Sequence, residues 1–107
     1  MGGPSEREFM EKFGKIREKL LKTENDIKTD FAKMEKIKAE GLKKTEEMRS
    51  LVEKEVAKME AEVMKSKDLA QESVPRLRTE ISTMRKEVQQ KYDDLKSRIS
   101  AAIVPHQ

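Results

Sequence analysis

Gln71-Glu72-Ser73-Val74-Pro75-Arg76-Leu77 holds Pro75, the one proline away from the two ends of a 107-residue chain. Its reading decides whether the chain is one helix or more than one. A proline inside a helix donates no backbone hydrogen bond, and its ring presses on the carbonyl four residues back, here Gln71. The helix must then kink or end. A hairpin turn usually brings Gly, Asn or Asp and resets the apolar phase, and residues 71–75 hold no turn glycine. Apolar residues instead continue across the proline. Ile37, Met48, Met59, Ala70, Ile81, Tyr92 and Ile103 each lie eleven positions after the one before. Val52, Val63 and Val74 form a second such row that stops at Arg85, and Leu77, Val88 and Ile99 join the same stripe.

Eleven residues in three turns is about 3.67 per turn, the spacing of a right-handed supercoil. The uninterrupted register favours a continuous helix kinked at Pro75. A hairpin turning at 71–75 is the second expectation, with Ser73 as a helix cap and Pro75 in a tolerant first turn. A three-helix bundle, with a further break at Gly41, is the third. A single helix over residues 5–103 would be about 150 Å long.

The N-terminal third follows a different rule. Phe9, Phe13, Ile16, Leu20, Thr23 and Ile27 are spaced by alternating fours and threes, a heptad stripe. Phe31 follows Ile27 by a further four, a stutter that shifts the seam. Ser5 and Glu8 form a capping-box pattern immediately before this run, so the helix is expected to start at Ser5. Pro105 marks its expected end. Residues 1–4 read as a disordered leader, 5–104 as an extended helical coiled-coil region and 105–107 as a tail.

Composition agrees with long helices. Ala, Glu, Lys, Leu and Arg supply 54 of the 107 residues, the proportion typical of coiled coils and long helices. Acid-before-base pairs four apart recur, among them Glu8–Lys12, Glu24–Lys28, Glu40–Lys44, Glu87–Lys91 and Asp94–Arg98. Each supports a helix by about 0.2–0.5 kcal/mol without holding partners together. The fold class expected is therefore all-α: long amphipathic helices forming a coiled coil in mixed heptad and hendecad register, as a kinked rod or a helical hairpin around Pro75.

The same residues narrow the function. No apolar run is long enough for a transmembrane segment, and residues 1–5 lack the apolar core of a signal peptide. The chain has no cysteine and one histidine, His106, so no disulfide framework, thiolate metal site or histidine cluster is expected. No phosphate-cradling glycine loop is present. Adjacent carboxylates such as Glu46-Glu47 and Asp93-Asp94 do not face each other on a helix. The chain reads as non-enzymatic, cofactor-free and cytoplasmic.

The candidate helix–helix interface comprises Phe13, Ile16, Leu20, Ile27, Ile37, Met48, Val52, Met59, Val63, Ala70, Leu77, Ile81, Val88, Tyr92 and Ile99. Arg85 interrupts the valine row. A charged residue at a seam can select register or partner at some cost in stability. The function expected is a structural, scaffold or adaptor role, with a homo-oligomer or another helical protein as partner.

Two narrower expectations stand beside it. Chain length, continuous helix and eleven-residue spacing over residues 27–103 resemble the peripheral-stalk subunits of rotary A/V-type ATPases. That resemblance implies pairing with a different helical chain in a right-handed coiled coil, although the alanine-rich seam common in such stalks is missing. The second draws on charge. Residues 74–107 carry a net +3, and Arg78, Arg85 and Lys96 could meet an anionic partner through guanidinium and ammonium contacts. Nucleic acid is the weaker reading, because the chain is not strongly basic and Tyr92, the one aromatic residue among these basic residues, belongs to the apolar seam.

Overall fold

A computed structural model describes Gly3 and residues 5–106. The expected leader, apart from Gly3, and the final residue of the expected tail lie outside the described residues. The described chain is all-helical, with α1 at Glu6–Lys65 and α2 at Ser73–Ala101, and has no strand.

The start of α1 follows from its capping sequence. The Glu8 amide donates to Ser5 Oγ at 3.3 Å, and the Phe9 amide donates to the Ser5 carbonyl at 3.2 Å. Glu6 and Glu8 lie in the first turn and Lys65 in the last, the arrangement the helix dipole favours. The helix continues through Gly14 and Gly41, so the break considered at Gly41 is not made. A lone glycine costs about 1 kcal/mol in a helix interior, too little to stop 60 residues of strong helix formers.

The chain divides into two compact units, Met1–Lys36 with Val104–Gln107, and Ile37–Ile103. In the first unit α1 carries the heptad stripe. In the second, the remainder of α1 and all of α2 pack antiparallel as a helical hairpin.

The connection of the hairpin is residues 66–72. It begins five residues before the expected turn at 71–75 and overlaps it only at Gln71 and Glu72. Ser66 still donates to the Glu62 carbonyl at 3.0 Å, and the helix then stops. Ser66 and Asp68 are residue types whose side chains compete with helical backbone hydrogen bonds. Ser73 donates to the Ala70 carbonyl at 3.0 Å and Val74 to that of Gln71 at 3.3 Å, turning the chain into α2.

Pro75 is the third residue of α2. An amide in the first turn has no intrahelical acceptor in any case, so the missing donor breaks nothing and the fixed φ suits the helix. Pro75 therefore follows the break instead of causing it. Ser73 is helical, and the cap position falls to Glu72, which makes no side-chain cap bond. No residue of the connection takes positive φ.

Gly41 and Ile99 show how closely the hairpin helices approach. A Cβ built on Gly41 would lie 3.4 Å from Ile99 Cδ1, an ordinary contact distance. Gly41→Ala should therefore stabilise the hairpin by about 0.5–1 kcal/mol through helix propensity, and Gly41→Leu should destabilise it by driving Ile99 aside. Urea denaturation followed by circular dichroism separates the two.

Candidate functional site

The candidate site is a set of helix-association surfaces, and the two units differ sharply in how they use theirs. In the hairpin the apolar seam is closed within the chain. Its inward positions on α1 are Gly41, Thr45, Met48, Val52, Val56, Met59 and Val63. Those on α2 are Leu77, Ile81, Met84, Val88, Tyr92, Leu95 and Ile99. Both series step by four, three, four, four, three and four residues. The series reads the same in either direction, so it stays in step across an antiparallel pair.

Val56 and Tyr92 are the most enclosed apolar side chains, 8% and 5% exposed. Thr45, at 6%, is a buried polar residue whose hydroxyl donates to the Gly41 carbonyl at 2.8 Å. That bond satisfies the hydroxyl within its own helix, as a buried polar group requires.

Tyr92 is also the polar hub of the hairpin. Its hydroxyl donates to Glu46 Oε1 and accepts from Lys96 Nζ at 3.3 Å. The Arg49 guanidinium lies 4.4 Å from the ring centroid, a cation–π distance, and its Nε donates to Glu53 at 3.3 Å. Tyr92 and then Glu53 hold the Arg49 pKa above its ordinary value.

Towards the connection, Arg85 Nη1 meets Glu60 Oε2 at 2.7 Å. The hydrogen bond from Arg85 holds the Glu60 carboxyl below its ordinary value, with the charges of Arg85 and Arg78 acting in the same direction. At the other end, Lys38 Nζ donates to the Ala102 and Ser100 carbonyls at 2.8 and 3.3 Å. A cation on the last carbonyls of α2 satisfies orphan acceptors and opposes the negative end of the helix dipole.

The residues expected at the interface separate accordingly. Met48, Val52, Val63, Ile81, Val88 and Ile99 are half-buried in the hairpin and Tyr92 is buried, while Leu77 and Met59 line its groove more openly. Ile37 is exposed, and Ala70 is exposed in the connection. Arg85 makes an interhelical contact inside the chain, and Lys96 lies against Tyr92. Arg78 acts on Glu60 as a neighbouring charge.

Val56, Thr45, Glu46, Arg49, Glu60 and Lys38 are working residues that the eleven-residue rows passed over. The repeated series of steps shared by the two hairpin helices was the signal that could have found Val56 and Thr45. The polar partners carried none, because any surface helix is rich in Glu, Lys and Arg.

In the first unit α1 keeps its stripe open. Phe9, Phe13, Ile16, Leu20, Ile27 and Met34 are 44–66% exposed. A groove of about 250 Å³ runs between Leu20, Thr23, Ile27 and Phe31, flanked by Glu24 and Lys28. In the hairpin a groove of about 230 Å³ is lined by Val52, Val56, Met59, Val63, Leu77 and Met84, among others. Among the described residues no cluster of three or more His, Cys, Asp or Glu could hold a metal ion, and no helix is long and apolar enough to cross a membrane. No protein-family model, curated protein or solved structure matches the chain.

Val56→Ala should lower hairpin stability by about 1–2 kcal/mol, the cost of two buried methyl groups and a small cavity. Tyr92→Ala should cost more, about 3 kcal/mol. Urea midpoints order the two. The Glu60–Arg85 pair contributes stability that is fully present above the ordinary carboxylate value of 4.5 and is lost as the pH falls through the lower folded value. Glu60→Gln should flatten that acid limb of the stability–pH curve.

Proposed function

We propose that the chain is a non-enzymatic helix-association protein, a scaffold or adaptor whose working surface is the open heptad stripe of α1. The observation that carries this is the row Phe9, Phe13, Ile16, Leu20 and Ile27. It is exposed in this chain and spaced for burial against another helix. A row of large apolar residues of this extent on a surface marks an interaction site. The hairpin would act as the folded base that anchors this helix.

The shared step series of the hairpin supports a coiled-coil register in which heptads are joined by one eleven-residue element at Met48–Val52–Val56 and Met84–Val88–Tyr92. Association would proceed by burial of the stripe, with the charges beside it selecting the partner. Pairing with a different chain in a stalk-type assembly would use the same stripe. Contact with nucleic acid would require Arg78, Arg85 and Lys96; Arg85 is engaged with Glu60 across the hairpin and Lys96 with Tyr92 within α2.

Gel filtration of gently prepared cell extract tests the proposal, comparing the wild-type chain with Leu20→Glu. The wild type should run in assemblies well above the 12.4 kDa of one chain, and Leu20→Glu should fall towards that mass. Equal elution of the two would count against any association through the stripe.

A further inference from the structure

The open stripe of α1 also carries the information to choose a partner, and the geometry points to a second copy of this chain, paired antiparallel. This rests on the association reading above and names its occupant. Take Leu20 opposite Thr23 of the second copy. Ile16 then meets Ile27, Phe13 meets Phe31 and Phe9 meets Met34, each contact made twice by symmetry. Every position of the row is matched; the stutter offsets Phe13 from Phe31 by one residue, and the step is recovered at Phe9 and Met34.

The flanking charges separate this register from its competitors. Arg17 and Glu24 lie along one edge of the stripe, and Lys19 and Asp26 along the other, all exposed. In an antiparallel pair each edge meets the same edge of the partner. Arg17 then faces Glu24 and Lys19 faces Asp26, four opposite-charge contacts over the two copies. Glu24 already holds Lys28 at 3.1 Å within its own helix and keeps its remaining oxygen lone pairs for Arg17. The outermost layer sets Lys12 against Lys33, a like-charge contact at the margin where solvent screens it.

A parallel pair brings opposite edges together. It would set Lys12 against Arg17 twice, which cancels the two Lys19–Glu24 attractions and leaves no net gain. Sliding the antiparallel pair by one heptad would place Arg17 on Arg17 and Lys19 on Lys19. Flanking charges of this kind set orientation in helix pairs, and like charges in contact are the usual means of rejecting wrong registers.

Arg17 allows a test whose sign depends on orientation. It has no charged residue three or four positions away on its own helix, since those positions are Phe13, Gly14, Leu20 and Leu21. Arg17→Glu therefore leaves the ion pairs within the helix untouched. In the antiparallel register it turns two attractions into two repulsions. In the parallel register it turns two repulsions into two attractions.

Sedimentation equilibrium of the purified full chain over a range of concentrations should show a reversible dimer of twice 12.4 kDa. Added salt should weaken it, and Arg17→Glu should weaken it about tenfold. Far-UV circular dichroism should show the hairpin unchanged in the variant. A wild-type chain that stays monomeric when pure overturns the second-copy assignment. If it still runs in large assemblies in extract, helix association stands with a different partner. A dimer that tightens or does not respond on Arg17→Glu overturns the antiparallel register.

Discussion

Tyr92 is the contact on which the hairpin depends. A two-helix hairpin has no third layer to cover its seam, so few side chains can be withdrawn from water on all sides. Tyr92 and Val56 are the apolar residues that reach that state. Tyr92 does so while keeping a polar tip, which allows one side chain to bury its ring and still join Glu46 and Arg49 across the seam and Lys96 one turn along its own helix. The ring supplies apolar area and a face for a cation, and the hydroxyl supplies direction. A leucine at the same place could provide the first but not the second.

The polar contacts around this centre register the helices more than they hold them. Glu60–Arg85 and the groups on Tyr92 remain partly solvated, and exposed ion pairs contribute little net stability. They are nevertheless spread along the whole interface: Lys38 at the open end, Tyr92 in the middle, Arg85 towards the connection. A slip of one turn would separate all three sets at once. Arg85, expected to choose a partner chain, pairs with Glu60 inside its own chain.

Much of the fold was legible in the residues because helices leave local marks. Ser5 and Glu8 announced the start of α1, and the heptad row from Phe9 to Ile27 announced an apolar stripe that the structure leaves open. The hairpin was harder to read. Its connection, residues 66–72, contains no glycine and no left-handed residue, so the usual turn signal is absent. The eleven-residue row ran from Met59 through Ala70 to Ile81 without a phase change, because matching seam positions such as Thr45 and Ile81 lie 36 residues apart, ten turns at about 3.6 residues each. Val56 and Thr45 were missed for a related reason. The longest periodic row steps from Ile37 to Met48 to Met59 and so passes over Thr45 and Val56, the seam positions between them.

The sequence by itself determined helix, amphipathic stripe and the start of α1, since these depend on interactions between residues three or four apart. It also determined the charge order beside the first stripe. Only the tertiary structure decided that the chain turns back at 66–72, that Pro75 opens a helix instead of bending one, and that the second stripe is covered while the first is left open. Those outcomes depend on contacts such as Gly41 with Ile99 and Lys38 with Ala102, made between residues about sixty positions apart. Periodicity shows that a stripe needs a partner. Which helix supplies it is set by where the chain turns and by which side chains then fit together.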